Sequence, residues 1–538
     1  MRARRRLSSW REDVSENCAA VTATLDAENT TKTAIRDGMR IGLDVPIEMN
    51  DSVVLRADVF RPVVIGRYPV ILTYGPYGKG LAFQDGYKTA WELMVARYPD
   101  TANNTTNKYQ NWEVVDPEKW VPDGYVCVRV DSRGAPPLPA HRLSPCETDD
   151  VYGCIEWAAT QPWSSGKIGM NGISYYAINQ WTVALRQPPH LAAICVWEGA
   201  SDNYRDMVRH GGILTTFPTN WFDMQAKTVQ HGYGTRGPKS RIANEFACGP
   251  ETLSDAELAA HCCDYIGDMR RHLLDDGYFR GRSATFANID VPLLSAGNWG
   301  GQGLHLRGNI EGYVRAASKH KWLEMHGGEH WTAFYTDDGV RLQKQFFGPF
   351  PKGEDIGWDE QPPLRLNIRL PGEKFVMRYE HEWPLGRTQR TKFCLDPVTC
   401  SLVSTALSHD GAIEFEAMGE GVTFMTPALE HEIEISGPCA AKLFVSSTTS
   451  DADVFLALRV FEPNGRDVTF MGALDPHTPV AQGWLRASHR KLDPDLSTPY
   501  RPYHAHDEIW PLTAGQEVEL DIEIWPTSIM VPKTIGWV

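Results

Sequence analysis

The amino-acid sequence predicts an α/β fold with a helical insertion, followed by an all-β sandwich. Three observations support this prediction. Apolar runs of strand length alternate with helical stretches over residues 36–350, which is typical of a parallel sheet buried on both faces. A segment of helical patterning, rich in Trp, Met and His, interrupts this alternation at residues 205–285. Beyond residue 350, short segments of alternating hydrophobicity with turns between them indicate an antiparallel sandwich.

The bulk composition limits the classes of function that fit this chain. Its 538 residues are enough for two or three domains and a large buried core. A net charge of −15 disfavours nucleic acid or an anionic membrane as a partner, and no apolar run approaches the roughly 20 residues of a membrane-spanning helix. The 11 cysteines are scattered without regular spacing. This pattern favours a reducing, cytoplasmic location over a disulfide framework.

The elements of the α/β part follow one another along the chain. Residues 1–35 are polar and weakly patterned, and we expect a disordered tail. A hairpin follows, with alternating apolar residues around a turn at Asn50 and Asp51. Helices are predicted at 147–161 and 174–187. Buried strands are predicted within YPVILTYGPYG (68–78), GYVCVRVDSRG (124–134), GKIGMNG (166–172), LAAICVWEG (191–199), VPLLSAGNW (291–299) and KWLEM (321–325).

The helical segment interrupts the sheet late in its order, where an insertion forms a lid over one edge. Ser254 and Glu257 have the spacing of a capping box and mark the start of a helix that Gly277 would end. The predicted organisation is a tail (1–35), an α/β domain (36–204 and 286–350), a helical cap (205–285) and a jelly-roll sandwich (351–538).

Ser174 lies at a predicted sharp turn from a strand into a helix, in the sequence KIGMNGISYYAINQW (167–181). Gly172 and Ala177 are small enough to let the strand and the helix approach each other. A serine at such a turn presents its hydroxyl at the carboxyl edge of the sheet, as a nucleophile does. The pattern is G-x-S-x-x-A and not the strict G-x-S-x-G, so an ordinary serine N-cap is the alternative.

A nucleophilic serine needs a base and an oxyanion hole. The segment KWLEMHGGEHWTAFY supplies His326 and His330 after the last predicted strand of the sheet. The backbone N–H of Tyr175, directly after the serine, is one candidate oxyanion donor. The loop LTYGPYGKG follows an early strand, and the phenol of Tyr77 within it is the second candidate. Considered alone, Tyr77 is equally compatible with a buried loop tyrosine.

These residues resemble those of the CocE/NonD group of serine hydrolases, which includes cocaine esterase-like and X-Pro dipeptidyl-peptidase-like enzymes. The specific segments are MNDSVVLRADVFRP, the Pro76–Tyr77 loop, DSRG (131–134), QPWSSGKIGMNGISYYAINQW and the His330 segment. The resemblance implies an α/β-hydrolase domain with a helical cap and a C-terminal jelly roll. It implies hydrolysis or acyl transfer on a small-molecule ester or amide through an acyl-serine, without a cofactor, and homo-oligomers. By position, Ser174 corresponds to the nucleophile, His330 to the base, and Tyr77 and Tyr175 to the oxyanion hole.

The chain departs from this family at the catalytic acid. The family places an aspartate just after the strand matched by VPLLSAGNW, where this chain continues Gly300-Gly301-Gln302. The favoured hypothesis is that Glu198, at the end of LAAICVWEG, holds His330 instead. A salt bridge from Glu198 to Arg205 is the structural alternative. The acid could also be Asp337 or Asp338, or it could be absent.

Two more departures count against full activity, and the altered loop among them, together with the missing aspartate, favours a competing hypothesis, a binding protein on an impaired hydrolase fold. The sequence after DSRG lacks the glycine-rich continuation of the family, so the loop there is altered. The C-terminal sandwich is short by comparison, which leaves its completeness open. A Glu198 side chain that points away from His330 would favour this alternative.

The remaining motifs carry weaker signals. HGGEH (326–330) matches the H-x-x-E-H pattern of zinc proteases, but two central glycines disfavour the helix that this chemistry needs. YHAHDE (503–508) is expected to be a solvated loop. We therefore predict no metal. In the cap, the side chains that could line an apolar acyl pocket, or simply form the cap core, are Trp221, Phe217, Phe222 and Met224.

Overall fold

The computed structural model describes residues 32–133, 142–243, 245–533 and 536–537. The strands of the α/β part and of its cap, to which β8 and β9 belong, are β1 (Lys32–Arg36), β2 (Met39–Glu48), β3 (Val54–Pro62), β4 (Tyr68–Gly75), β5 (Val126–Asp131), β6 (Ser164–Ile173), β7 (Leu191–Trp197), β8 (Arg209–His210), β9 (Ile213–Leu214), β10 (Leu293–Asn298) and β11 (Lys321–His326). Those of the C-terminal part are β12 (Leu364–Leu370), β13 (Lys374–Glu380), β14 (Cys394–Asp396), β15 (Ser401–Val403), β16 (Ile433–Val445), β17 (Asp453–Leu458), β18 (Val460–Phe461), β19 (Ala481–Arg486), β20 (Val518–Val531) and β21 (Gly536–Trp537).

The α-helices are α1 (Phe83–Gly86), α2 (Lys88–Arg97), α3 (Pro117–Trp120), α4 (Pro145–Thr160), α5 (Tyr175–Ala184), α6 (Phe217–Trp221), α7 (Asp255–Ala260), α8 (Tyr265–Arg271), α9 (Gly277–Arg280), α10 (Leu306–Arg315), α11 (Thr332–Tyr335) and α12 (Asp337–Phe347). Shorter helical turns of 3₁₀ or π type lie at Pro99–Ala102, Val121–Asp123, Asn203–Val208, Phe222–Ala226, Lys227–Val229, Gly234–Arg236, Phe286–Asn288, Gly348–Lys352, Trp358–Glu360 and Ala487–His489.

Six parallel strands form the centre of the sheet, in the order β5-β4-β6-β7-β10-β11. They correspond to the six buried strands that the sequence predicts. The hairpin of β2 and β3 is antiparallel, with its turn closed by a hydrogen bond from Met49 N–H to the Val53 carbonyl, and β3 joins the sheet beside β5. The predicted α/β fold is confirmed.

Alternating side chains of these strands fill two hydrophobic layers, one on each face of the sheet. Ile71 and Cys195 belong to one layer, whereas Leu72 and Val196 belong to the other, and all four are completely buried. Because both faces are covered, the strands are continuous apolar runs in the sequence. The carboxyl ends of β6, β7, β10 and β11 therefore meet along one edge, where a site can form.

The C-terminal part continues the same sheet, in parallel through β12 and then through antiparallel strands. β12 lies parallel to β11 and meets β20 at a single pair, Arg369 and Ile529. β16 and β20 form the longest antiparallel ladder, which carries a bulge between Gly437 and Cys439, and β17 pairs with β19. The expected antiparallel, β-rich C-terminal domain is confirmed.

One predicted boundary differs from the structure. The predicted tail extends to residue 35, but Lys32–Arg36 form β1, in which Ala34 pairs with Ile41 of β2. Pairing satisfies the exposed edge of β2, a tertiary effect that the polar sequence does not reveal. The rest of the tail lies outside the described residues, as does most of the altered loop after DSRG, residues 134–141.

The cap contains short helices in place of long ones. The predicted capping box of Ser254 and Glu257 is present, but α7 has only 6 residues and α8 has 7. Gly232 and Gly234 adopt positive φ values of 90° and 47° in the segment that precedes them. Glycines in this conformation interrupt helices. No helix among the described ranges is long and apolar enough to cross a membrane.

Candidate active site

Ser174 occupies the strained turn between β6 and α5. Its backbone has φ 56° and ψ −115°, a conformation that is costly for a residue with a side chain. Its N–H donates to the carbonyls of Trp197 (3.1 Å) and Glu198 (3.2 Å), which holds the turn against the end of β7. The Ser174 side chain makes no capping hydrogen bond, so the structure does not have the N-cap arrangement that was the alternative.

Small residues allow this turn to form, as the sequence suggested. Gly172 has φ 154°, and a Cβ at this position would lie 2.5 Å from the Tyr176 Cβ and 3.2 Å from the Glu113 carbonyl oxygen. A larger residue would push the helix away from the strand. The turn therefore presents Ser174, which is only 9% exposed, at the carboxyl edge of the sheet.

Two candidate hydrogen-bond donors border Ser174, one at the start of α5 and one on the loop after β4. Tyr175 is the first residue of α5, where a backbone N–H has no partner within the helix. Tyr77 is buried, and its phenol oxygen accepts a hydrogen bond from Trp221 Nε1 at 2.9 Å. Because Trp221 supplies the proton in that contact, the Tyr77 proton is left for another acceptor, and none of the described residues takes it.

Glu198 reaches His330 across the edge of the sheet. Glu198 follows β7 directly, has a left-handed backbone (φ 47°) and is completely buried. Its Oε2 lies 2.6 Å from Nδ1 of His330. The structural alternative of a bridge to Arg205 is not formed, because Arg205 pairs with Asp202 and Asp275.

The second oxygen of Glu198 is held by two more side chains. His326 Nε2 lies 2.9 Å from Oε1, and the Asn298 amide donates to the same oxygen at 3.3 Å. Nδ1 of His326 is in turn 2.6 Å from Glu324. Asn298 ends β10, close to where the family would supply an aspartate, so this strand contributes an amide that orients Glu198.

These contacts determine the charge of Glu198. Burial alone would raise the pKa of Glu198, but the charge of His330 and the hydrogen bonds from both imidazoles lower it to about 2. Burial opposes the charged form of His326, yet Glu324 and Glu198 raise its pKa to about 9. Glu198 is therefore an ionised carboxylate between two imidazoles at neutral pH.

A second carboxylate, which the sequence analysis missed, meets the other nitrogen of His330. Glu113 Oε1 lies 3.1 Å from Nε2 of His330. Among the described residues, no hydrogen bond joins the Ser174 hydroxyl to His330. Burial raises the pKa of Glu113 to about 7 against the opposing effect of His330, and the two carboxylates raise the pKa of His330 to about 10 despite its burial. The only cue in the sequence is an acidic residue inside the apolar run Trp112–Val115.

The other candidates for the acid lie elsewhere. Asp337 and Asp338 begin α12, where Asp338 pairs with Arg341 and Arg365. Neither aspartate contacts His330 in the described structure. Of the acids considered from the sequence, Glu198 is the one that the structure brings to the histidine.

The two weaker motifs also have definite positions. HGGEH is not helical, because β11 ends at His326 and Gly328 has φ 90°. The expectation of a solvated YHAHDE loop is wrong, since His504 and His506 are buried and His506 lies 3.1 Å from His489. Arg205 of the cap donates to the His504 carbonyl and so buries this segment. In the described part of the chain, no cluster of three or more His, Cys, Asp or Glu side chains could hold a metal.

The predicted acyl-pocket residues divide into two groups. Trp221 is buried, stacks on Tyr175 with ring centroids 5.9 Å apart, and contacts Tyr77. Phe222 is also buried and packs against the same cluster. Met224 is 69% exposed and does not belong to it. The aromatic wall beside Ser174 therefore comes from the loop of Tyr77, from α5 and from α6.

Comparison with known proteins agrees with this architecture. The chain matches X-Pro dipeptidyl-peptidase (S15 family) over residues 51–332, and the X-Pro dipeptidyl-peptidase C-terminal non-catalytic domain over residues 356–533. It is 30% identical to a CocE/NonD family hydrolase from Staphylococcus aureus, whose crystal structure superposes on this one with a TM-score of 0.80. The match covers 93% of this chain and 85% of the S. aureus chain. Cocaine esterase from Rhodococcus sp. (strain MB1 Bresler) is 23% identical over 80% of this chain and 81% of that enzyme.

The fold and these relatives define a serine hydrolase of the α/β-hydrolase type, which acts on esters or amides. More specifically, the chain belongs to the X-Pro dipeptidyl-peptidase (S15) family and is a CocE/NonD-type hydrolase. The resemblance inferred from the sequence is thus confirmed, and the hypothesis of a binding protein without enzymatic activity is not supported.

Proposed function

We propose that Ser174 is the nucleophile of this hydrolase, His330 its base and Glu198 its orienting acid, with Tyr77 and the Tyr175 N–H as the oxyanion hole. The observation that carries the proposal is the 2.6 Å contact between Glu198 Oε2 and His330 Nδ1. It supplies a carboxylate where the chain lacks the family's aspartate. A carboxylate at Nδ1 sets the tautomer that leaves Nε2 free to accept a proton.

Acylation follows from these positions. Once it is in its neutral form, His330 takes the Ser174 proton on Nε2 while the serine oxygen attacks the carbonyl carbon of the substrate. The negative charge that develops on the carbonyl oxygen is stabilised by the Tyr77 phenol and the Tyr175 N–H. The imidazolium then gives its proton to the leaving alcohol or amine. The product of this half-reaction is an acyl-Ser174 ester.

Deacylation repeats the steps with water. His330 removes a proton from water, the hydroxide attacks the acyl carbonyl, and the imidazolium returns its proton to Ser174 as the acid departs. Glu198 stays ionised throughout, because its two imidazole partners lower its pKa to about 2. Another nucleophile in place of water would give acyl transfer, and we propose hydrolysis as the main reaction.

The substrate class that we propose is a small-molecule ester with an apolar acyl group. Trp221, Tyr77 and Tyr175 form an aromatic wall beside the serine, and apolar walls favour apolar acyl chains. The similarity to a cocaine esterase over most of both chains also supports ester cleavage. None of the described cysteines is paired in a disulfide, which supports a cytoplasmic location.

The test is rapid-quench kinetics with p-nitrophenyl butyrate and mass-spectrometric mapping of the acylated peptide. We expect a burst of p-nitrophenol close to one equivalent per active chain and a butyryl group on Ser174. Ser174→Ala should remove both. Ser318→Ala, which alters another buried serine remote from this edge, should retain both. Unchanged turnover in Ser174→Ala would contradict the proposal.

A further inference from the structure

Glu113 occupies the position at His330 that Ser174 needs for activation. The Nε2 atom that must accept the serine proton is already 3.1 Å from Glu113 Oε1. We propose that Glu113 is a positioning residue that holds His330 as an imidazolium in the free enzyme, and that an acyl substrate must displace this contact before Ser174 is activated. The proposal rests on the roles of Ser174 and His330 given above.

The position of Glu113 is built into the nucleophile turn. Its carbonyl accepts a hydrogen bond from the N–H of Ile173, the residue directly before Ser174, at 3.0 Å. Its backbone has φ 62°, a left-handed conformation that is strained for a residue with a side chain. Trp112, the residue before Glu113, stacks on Tyr87 with ring centroids 3.9 Å apart. Backbone and neighbours are therefore fixed, and only side-chain rotation can release His330.

Burial makes the contact strong. Glu113 is 2% exposed and His330 7%, so neither charge is well solvated when alone. A buried charge is stable only when it is paired. With Glu198 at Nδ1 and Glu113 at Nε2, His330 lies between two carboxylates, and its cationic form is the favoured one.

The other ionisable groups around this pair do not change the preference of His330 for its cationic form. His326 is a cation that is already shared by Glu198 and Glu324. His305, whose ring stacks on His330 at 5.2 Å, is neutral because burial and the neighbouring imidazolium lower its pKa. Burial also keeps the nearby phenols neutral by raising their pKa values, and these phenols are Tyr77, Tyr87, Tyr176 and Tyr335.

Release requires one proton transfer within the pair. The proton on Nε2 of His330 moves to Oε1 of Glu113, which leaves a neutral imidazole and a neutral carboxylic acid. No net charge leaves the site, and Glu198 remains ionised. The neutral Glu113 side chain can then rotate away from Nε2 when a substrate enters. His330 thereby regains the lone pair that accepts the Ser174 proton.

The experiment is the pH dependence of fluorophosphonate labelling at Ser174, compared between the parent and Glu113→Gln. An opposite charge within about 4–6 Å raises an imidazole pKa by one to three units. The substitution should therefore lower the apparent pKa of labelling by that amount. Below this pKa the labelling rate should rise roughly ten- to thousandfold, and at high pH the two proteins should converge. Glu118→Gln, which removes a charge from the same segment without contacting His330, should leave the profile unchanged.

Other outcomes separate the failure of this proposal from the failure of the proposed function. Labelling of Glu113→Gln at an unchanged apparent pKa, faster or slower, would overturn the role of Glu113 and keep Ser174 as nucleophile. No labelling of the parent at any pH would overturn the function itself. If Glu113→Gln does not fold, Glu113→Asp and the parent profile decide the question. A parent pKa at or below the ordinary 6.5 of histidine would overturn the proposal.

Discussion

Replacement of Glu198 by glutamine removes the charge at the centre of the site while preserving its shape. In the parent, the carboxylate accepts from His330, His326 and Asn298. A glutamine offers one acceptor oxygen and one NH₂ group, which only donates. The amide cannot serve all three donors, so His330 loses its partner or is held in the wrong tautomer.

The expected losses of kcat and of stability in Glu198→Gln follow from this loss of orientation and charge. Removal of the orienting carboxylate from a serine triad lowers kcat by about 10⁴, which corresponds to about 5.4 kcal/mol of transition-state stabilisation. Breaking a buried ion pair on one side also costs about 3–5 kcal/mol of folding free energy. We therefore expect Glu198→Gln to be slow and less stable, yet still to bind substrate.

The assay is the steady-state hydrolysis of p-nitrophenyl butyrate, with thermal unfolding measured on the same preparations. Glu156→Gln is the matched control, because Glu156 also pairs with a histidine, His190, at 2.7 Å but in a partly exposed position on α4. We expect kcat of the control within about twofold of the parent, since surface pairs contribute little. A folded Glu198→Gln protein with kcat within tenfold of the parent would refute the assignment of the acid.

Three further predictions concern the oxyanion hole and stability. Tyr77→Phe removes one of the two proposed oxyanion donors and should lower kcat by about 10²–10³ with little change in KM, in the same hydrolysis assay. His326 and His330 have raised pKa values of about 9 and about 10, so their stabilisation, roughly 3 kcal/mol for His326 and roughly 5 kcal/mol for His330, is complete below pH 6.5 and lost as the pH rises through these values. His489 and His504 have pKa values lowered to about 4 and about 3, so stability should fall between pH 6.5 and 4 by roughly 3 kcal/mol each; chemical denaturation at a series of pH values checks both.

Each of these predictions has an outcome that contradicts it. Equal kcat values for Tyr77→Phe and the parent would show that the Tyr77 phenol is not an oxyanion donor. A free energy of unfolding that is flat from pH 7 to 10 would contradict charged states of His326 and His330. In the acid range, His504→Gln should reduce the fall in the free energy of unfolding that the parent shows below pH 6.5. An unaltered decline in that variant would mean that other groups cause it.

Much of the fold follows from local sequence patterns. Strands such as β4 and β7 are continuous apolar runs because both faces of the sheet are covered. The turn at Ser174 is visible because small residues flank it on both sides. These features depend on residues close together in the chain, so the pattern alone reveals them. The cap is harder, because the helical pattern that follows Ser254 divides into short helices at residues 261–264, where no glycine or proline marks the break.

The site is only partly visible in the sequence, for a physical reason. Ser174 and His330 have recognisable local surroundings. Glu198 can be proposed from the sequence because the expected aspartate is absent and Glu198 ends a neighbouring strand. Glu113 lies 217 residues from His330 along the chain, and no local pattern distinguishes it from other acidic residues. His326 was seen as a second histidine, but its contact with Glu198 depends on the parallel order of β7, β10 and β11. Tertiary contacts of this kind carry no local signature.

The central claim is that Ser174 is an activated nucleophile, and fluorophosphonate labelling of the folded parent with peptide mapping tests it most directly. We predict that one probe attaches per chain, on Ser174, and that hydrolysis of p-nitrophenyl butyrate is lost in proportion. Ser174→Ala should take up no probe at this peptide. A folded parent that stays unlabelled, or that carries the probe on another residue, would contradict the account.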